Sequence, residues 1–220
     1  MASGKLPLGL MIPPVSAGTE IPPEPPDVGA RALSVASRML CGASTFFFLA
    51  FLFAYFYLRS IDADGMWHPK HVNPSQGLGA AFIVCIIFSA ASTILAGRRM
   101  KVKSPTWLTP GIAGVVFGLI AVALQCIEYT AQHFGPTNGA YASVFCAWTG
   151  FYLIAVLFTM YWLETQVATE LRARRSPAPV AEGDIKNPDH LIAPGLDAAV
   201  FYWSFLACIG IVTYVILYLL

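Results

Sequence analysis

Two ionisable side chains interrupt the long apolar stretches of this sequence, and they are its first candidates for chemistry. Glu128 lies near the end of one stretch, and Arg38 lies near the start of another. A charged group inside hydrocarbon is costly unless it is paired or neutralised, so such a residue is a functional candidate by default. For Glu128, a proton or ligand role competes with a structural one, snorkelling to the interface or packing between helices, and we favour the structural role. Arg38 is placed to contact lipid phosphate.

The histidines and cysteines do not form a recognisable metal site. His68 and His71 are three residues apart, but Pro69 and Pro74 argue against the helix that would bring them onto one face. The five cysteines lie in apolar runs without a C-x-x-C or Cys/His spacing, so we interpret them as small buried hydrophobes. The sequence has no glycine-rich phosphate loop and no Ser/His/Asp arrangement. We therefore expect no catalytic residue, cofactor or metal in this chain.

The composition indicates that most of the chain does not face water. Of its 220 residues, 57% are hydrophobic and 11% are charged, and the mean hydropathy is +0.65. Soluble domains carry about 25% charged residues. This balance argues against a soluble enzyme, a nucleic-acid-binding protein and a disordered chain.

Five apolar stretches are each long enough to cross a membrane as a helix. Crossing about 30 Å of hydrocarbon takes roughly 20 residues at about 1.5 Å per residue. The stretches are apolar on every face, and none alternates polar and apolar residues as a barrel strand would. The sequence predicts an all-α polytopic membrane protein, a bundle of five transmembrane helices over about 33–58, 78–97, 107–131, 142–163 and 198–220.

Two segments outside these spans differ from them in composition. Residues 1–31 contain seven prolines, which break helices, so we expect an extended cytoplasmic tail followed by a transmembrane domain over 32–220. The segment 165–195 mixes prolines with charged residues and is predicted to be the one sizeable internal loop. The fourth helix is expected to continue for two or three turns past the membrane before this loop becomes irregular.

The near-neutral net charge hides an asymmetry that predicts the orientation of the helices. Eleven Lys and Arg residues fall on one side of the predicted membrane, and only Arg59 and Lys70 fall on the other. Basic residues are retained on the cytoplasmic side. We therefore expect the N-terminus inside and the C-terminus outside.

Small and aromatic residues indicate how the helices pack. Gly111, Gly114 and Gly118 recur at a spacing that lets helix backbones approach closely. The first span is rich in Phe and Tyr between Phe46 and Tyr57. That aromatic helix either faces acyl chains or packs on a larger partner, and the sequence leaves both open.

Several short motifs follow one another along the chain. The most specific are Gln125-Cys-Ile-Glu128-Tyr129, Tyr141-Ala-Ser143-Val-Phe145 and Thr149-Gly150-Phe151. Further motifs are F-A-Y-F-Y-L-R at 53–59, W-H-P at 67–69 and F-Y-W at 201–203. Together they resemble subunit III of the haem-copper cytochrome c oxidases, in its shorter five-helix bacterial form, over nearly all of residues 33–220. The candidate lipid-contacting or structural polar sites are Glu128, Arg38, Tyr129 and Gln125.

The chain departs from the family pattern at its intramembrane polar positions. The resemblance places a membrane-embedded glutamate of the family at Ser44, and two histidines after the T-G-F motif at Tyr152 and Ala155. It places a histidine and an aspartate of the last span at Ser204 and Ala207. Roles that depend on those groups, such as holding a particular lipid or buffering protons, are in doubt for this chain, whereas Glu128 is retained.

The resemblance implies an accessory, non-catalytic subunit of a terminal oxidase in the bacterial inner membrane. In the family, haem and copper belong to subunits I and II, and subunit III packs on subunit I, binds phospholipid and supports sustained turnover and proton uptake. The complex transfers electrons from a cytochrome c or a quinol to oxygen and pumps protons. The implied partners are subunits I and II, phospholipids and, where one forms, a respiratory supercomplex, with no nucleic acid.

Two other functions stay open. An accessory subunit of a nitric oxide reductase would share the five-helix pattern, and the missing polar groups suit a diverged branch. A small transporter would use Glu128 as its coupling carboxylate, but transport predicts broken helices and internal repeats near the midplane, which the sequence does not display.

Overall fold

The computed structural model describes residues 26–62, 67–69, 71–175 and 192–220, and it is helical. Its five long helices are α1 (Pro26–Ser60), α2 (Gln76–Lys101), α3 (Leu108–Ala131), α4 (Ala140–Arg175) and α5 (Ile192–Tyr214). A 3₁₀ turn over Pro105–Trp107 precedes α3, and a π-helical turn over Val215–Leu219 continues α5. All five helices are long and apolar enough to cross a membrane, which confirms the predicted all-α polytopic membrane fold.

The helices alternate in direction, so their connections collect at two ends of the bundle. We call one the cap end: it carries the connections 61–75 and 132–139 and the π-helical turn of α5. The other, which we call the basic end, carries the start of α1, the connection 102–107 and the C-terminal part of α4. Its described basic residues are Arg31, Arg38, Arg98, Arg99, Lys101, Lys103, Arg172, Arg174 and Arg175. On the predicted orientation the basic end faces the cytoplasm.

The helices share their contacts unequally. The most extensive packing joins α2 to α3, and α5 packs against α1, α2 and α4. Within the most apolar part of each span, only 17% of the residues of α1 are buried, against 39% to 44% in the other four helices. Some aromatic residues of α1 pack inside the bundle, as Phe48 and Tyr55 do, whereas Phe46 and Phe53 are exposed.

Helix α1 begins earlier than the sequence predicted. It starts at Pro26, so residues 26–31, assigned to the extended tail, are helical. Proline is tolerated in the first turn of a helix because the N–H that it lacks would have no intrahelical partner there. This part of the tail prediction is therefore wrong, and residues 1–25 lie outside the described part of the chain.

Helices α4 and α5 both extend into the predicted loop 165–195. Helix α4 continues to Arg175, twelve residues past position 163, so the helix extends past the predicted end of its span. Helix α5 begins at Ile192 instead of 198, so the last four residues of the predicted loop are helical. Pro194 occupies the first turn of α5, where it is tolerated as Pro26 is. An ion pair of 2.6 Å between Lys101 Nζ and Asp197 Oδ1 ties that start to the end of α2.

The predicted close approach of helix backbones occurs between α2 and α3. A Cβ atom placed on Gly114 would lie 2.4 Å from Thr93 Cγ2 and 3.3 Å from the backbone oxygen of Ser89. The Ser89 hydroxyl donates a 2.6 Å hydrogen bond to the Gly114 carbonyl across the same contact. All five cysteines are free.

Candidate functional site

A buried carboxyl group lies at the cap end of the bundle. Glu128, near the end of α3, has 1% of its surface exposed. Its Oε2 atom accepts a 2.8 Å hydrogen bond from Tyr218 Oη and a 3.0 Å hydrogen bond from Gln125 Nε2. The backbone of Ser75, at the start of α2, faces the same carboxyl group. Glu128 therefore packs between helices and does not snorkel to the interface, so that alternative is excluded.

Local structure brings these groups together. Gln125 and Glu128 are three residues apart on α3 and so lie on one face of the helix. Tyr218 comes from the π-helical turn at the end of α5 and crosses Gly79 of α2. A Cβ atom on Gly79 would lie 2.4 Å from Tyr218 Cε1. The absence of a side chain at Gly79 therefore opens the path along which the tyrosine reaches Glu128.

The π-helical turn also presents carbonyl groups to other helices. The Tyr141 hydroxyl, at the start of α4, donates to the Leu217 carbonyl. Gln76 Nε2, at the start of α2, donates a 3.2 Å hydrogen bond to the Tyr218 carbonyl. Helices α2, α3, α4 and α5 are thus joined at one level by side-chain hydrogen bonds. We call Gln76, Gln125, Glu128, Tyr141 and Tyr218 the cap cluster.

Tyr129, a candidate from the sequence, lies beside the cap cluster but makes a separate contact. Its hydroxyl donates a 2.8 Å hydrogen bond to Thr149 Oγ1, and Thr149 in turn donates 2.6 Å to the Phe145 carbonyl within α4. This pair joins α3 to α4. The structure therefore gives Tyr129, Gln125 and Glu128 hydrogen bonds between or along helices.

The cap cluster has the chemistry of a helix-joining network. Glu128 forms no ion pair with a described residue, and its Oε1 atom has no hydrogen-bond partner in the described part of the chain. No group of three or more His, Cys, Asp or Glu side chains among the described residues is placed to hold a metal. A buried polar group left without partners costs about 1–3 kcal/mol, so the hydrogen bonds to Oε2 stabilise one particular arrangement of the helices.

Hydroxyl groups make the equivalent contacts in the middle of the bundle. Ser44 Oγ on α1 and Tyr202 Oη on α5 are 2.9 Å apart and both buried. The Tyr152 hydroxyl on α4 donates 2.8 Å to the Leu206 carbonyl of α5. Ser204 instead donates to the Val200 carbonyl of its own helix. Two of the positions at which the resemblance places ionisable family residues thus carry hydroxyls that link helices.

A third buried connection joins α5, α2 and α3. Trp203 Nε1 donates a 3.1 Å hydrogen bond to Ser89 Oγ, and Ser89 donates to the Gly114 carbonyl. The sequence shows Ser89 only as one of several small residues and Trp203 as part of a motif. The sequence does not indicate that these side chains bond to one another, because their contact depends on the close approach of α2 and α3.

Arg38 lies far from these clusters, toward the basic end. It is exposed, and it lines a cavity of about 620 Å³ between α1, α2 and α5, together with Ser37, Lys101 and Asp197. The structure therefore does not bring Arg38 together with the other three candidates. Its predicted contact with lipid phosphate stays a prediction.

Sequence reasoning missed Tyr218, Tyr141 and Gln76. The sequence indicates these residues only indirectly. A buried glutamate without a basic neighbour needs hydrogen-bond donors, and the hydroxyl and amide side chains at the same ends of other spans can supply them. Neither the spacing along the chain nor the motifs indicate which of these side chains reaches Glu128.

Comparison with known proteins gives a consistent match. The family model for cytochrome c oxidase subunit III matches residues 29–220. Cytochrome c oxidase subunit 3 of Tachyglossus aculeatus aculeatus is 26% identical over 80% of the chain and 65% of the relative. Cytochrome c oxidase subunit 3 of Latimeria chalumnae is 24% identical over 86% of the chain and 69% of the relative. The corresponding protein of Marchantia polymorpha is 27% identical over 78% of the chain and 62% of the relative. The chain thus spans about two thirds of the length of these relatives.

Proposed function

Because the chain belongs to the cytochrome c oxidase subunit III family, we propose that it is an accessory, non-catalytic subunit of a terminal oxidase in the bacterial inner membrane. In this proposal electron transfer to oxygen and proton pumping are activities of the whole complex. The haem and copper groups reside in subunits I and II, and this chain packs on subunit I.

One observation carries the non-catalytic role. Several buried polar side chains of the described helices form hydrogen bonds that join one helix to another, whereas Trp148 Nε1 and Thr213 Oγ1 have no partner among the described residues. Glu128, Ser44, Tyr152 and Ser89 each form such a bond between helices. Such contacts fix one relative position of the helices, which is the property that a supporting subunit needs.

The proposal includes a lipid contact at the basic end. Arg38 and Lys101 line the same cavity, which borders the apolar side chains of Ile94 and Phe201. A phospholipid of this leaflet would place its phosphate near the two cations and its acyl chains against the apolar wall.

Gene deletion and complementation test the proposed function. The respiratory complex is purified in mild detergent from cells with and without this chain, and haem spectra and oxygen consumption are recorded. We expect this chain to copurify with haem-bearing subunits. We expect the complex without it to retain most of its initial rate but to lose activity sooner during turnover.

Two outcomes would contradict the proposal. Purification of the chain alone, without haem, would remove the oxidase assignment. An immediate and complete loss of activity from a fully assembled core would remove the accessory role. Consumption of nitric oxide instead of oxygen by the copurified complex would support the nitric oxide reductase alternative.

A further inference from the structure

A second cavity, of about 510 Å³, lies at the cap end beside the α1–α2 connection. Buried aromatic side chains line it, and we call it the cap-end cavity. Its aromatic lining consists of Tyr55, Trp67, Tyr141 and Tyr218. Arg59, His68, Asn73 and Gln76 supply its polar lining, and Pro74, Leu217, Leu219 and Leu220 complete it.

The aromatic lining is held in place by contacts among its own members. The rings of Tyr55 and Trp67 are 5.2 Å apart and nearly perpendicular, and those of Trp67 and Tyr141 are 5.8 Å apart with the same geometry. The Trp67 carbonyl accepts a 3.1 Å hydrogen bond from the backbone of Tyr141. The cavity is therefore formed by the fold itself.

Arg59 is the cation of this cavity. Its guanidinium donates a long, 3.4 Å hydrogen bond to the Tyr55 hydroxyl and forms no ion pair with a described carboxylate. It is also the one Lys or Arg that the described residues place at the cap end. The cations at the basic end serve the orientation of the chain, but a cation at the opposite end works against that signal. A binding role accounts for its position.

Exposed apolar side chains lie at and beside the edge of the cavity. Leu219 and Leu220 are 60% and 63% exposed, and Phe56 lies exposed one turn before Arg59 on α1. A soluble anion would use the guanidinium and leave this surface in contact with water or bulk lipid. A phospholipid uses both parts, because its phosphate pairs with the guanidinium while its acyl chains cover the leucines and Phe56.

We propose that the cap-end cavity binds the phosphate headgroup of a phospholipid from the leaflet at that end, with Arg59 as the phosphate ligand. Asn73 and Gln76 line the same cavity, and the Gln76 amide is held there by its hydrogen bond to the Tyr218 carbonyl. This site is separate from the one at Arg38, and the inference does not depend on the oxidase assignment.

A binding experiment with matched variants tests the site. The full chain, with any subunits that accompany it, is purified in mild detergent, stripped of lipid and titrated with dioctanoyl-phosphatidylglycerol or with inorganic phosphate. Native mass spectrometry counts the bound lipids. We expect Arg59→Gln to weaken one lipid-binding event about tenfold, since it removes a charge-assisted hydrogen bond. Arg172→Gln, an exposed arginine on α4, should leave the count unchanged.

A photoreactive headgroup locates the bound lipid. Crosslinks to Trp67, His68 or Gln76 that disappear in Arg59→Gln would support the site. Equal lipid retention in the Arg59→Gln variant, or equal losses in both arginine variants, would overturn it. Inorganic phosphate that binds at Arg59 as tightly as the lipid would indicate a soluble anion instead. A crosslink between Arg59 and an acidic segment of a copurifying subunit, with lipid excluded, would also overturn it.

The experiment separates this inference from the proposed function. A chain that purifies without haem but retains a lipid sensitive to Arg59→Gln would contradict the oxidase assignment and leave the lipid site standing. A chain that copurifies with haem but shows no such lipid would do the opposite.

Discussion

The hydroxyl of Tyr218 donates a 2.8 Å hydrogen bond to Glu128 Oε2, across 90 residues of sequence. Tyr218 belongs to the last turn of α5 and Glu128 to the last turns of α3, and both are buried. The bond joins two helices at the end where four helices meet. Because the carboxyl group receives only one other side-chain hydrogen bond from the described residues, from Gln125, the tyrosine is a main determinant of its position.

Tyr218→Phe should reduce stability while it preserves the shape of the packed ring. The substitution removes one donor to a buried acceptor, and such a bond contributes about 1 kcal/mol. Thermal unfolding in detergent, followed by tryptophan fluorescence, measures the change. Tyr161→Phe is the matched control, because that tyrosine is 69% exposed and should give no measurable shift. Equal shifts for the two variants would mean that the hydrogen bond to Glu128 contributes nothing specific.

Substitutions of Glu128 should separate acceptor geometry from charge. Glu128→Gln keeps an oxygen that can accept from Tyr218, so we expect a loss of about 1 kcal/mol or less. Glu128→Ala leaves Tyr218 and Gln125 without their acceptor and opens a cavity, so we expect about 2–4 kcal/mol. Unfolding midpoints of the two variants, compared with wild type in the same detergent, test the order. A loss for Gln as large as the loss for Ala would show that the negative charge, which both variants remove, and not the acceptor geometry or the packing, is what the fold requires.

Gly114→Ala should destabilise the contact between α2 and α3. The new methyl group would lie 2.4 Å from Thr93 Cγ2 and 3.3 Å from a backbone oxygen, so a helix must shift. Overpacking of this kind costs about 1–3 kcal/mol. Gly42→Ala is the control, since nothing lies within 4 Å of a Cβ atom there, and it should be neutral or slightly stabilising. Equal unfolding midpoints for both variants would contradict the close approach of α2 and α3.

Ser44→Ala should weaken the contact between α1 and α5. Its hydroxyl pairs with Tyr202 Oη at 2.9 Å, and the variant leaves a buried tyrosine hydroxyl without that partner. We expect a loss of about 1 kcal/mol in unfolding free energy. Ser204→Ala is the control because Ser204 bonds only to the carbonyl of its own helix, so its loss should stay within about 0.5 kcal/mol. Identical losses would indicate that the cross-helix bond has no special role.

The number and type of the helices follow directly from the sequence. Backbone polar groups in hydrocarbon must be satisfied within the segment, so an apolar run of about 20 residues leaves a helix as the available structure. The close approach at Gly114 was also predictable, because small residues at helical spacing remove the bulk that keeps backbones apart. The start of α1 was not predictable from proline content alone, since Pro26 is harmless in a first turn.

The cap cluster was predictable only in part. The sequence identifies Glu128 as a residue that needs an explanation and favours a structural one, which its burial supports. The pairing of Glu128 with Tyr218 depends on three features that spacing along the chain does not encode. They are the π-helical turn at the end of α5, the missing side chain of Gly79 and the relative position of α3 and α5 along the bundle axis. Each is a property of the packed bundle, so the pairing required the structure.

The predicted orientation can be measured with single cysteines at the two ends. Thr137 lies exposed in the connection between α3 and α4 at the cap end, and Val102, which is 75% exposed, lies in the connection at the basic end. In a bacterial host, an impermeant maleimide should label Thr137→Cys in intact spheroplasts, and it should label Val102→Cys only after the membrane is opened, because basic residues are retained on the cytoplasmic side. Neither substitution changes a charge, so the distribution of Lys and Arg that predicts the orientation stays intact. The wild-type chain supplies the background labelling, since its five free cysteines lie within the spans. The reverse labelling pattern would place the basic end outside and would remove the basis on which Arg38 is assigned to the cytoplasmic leaflet.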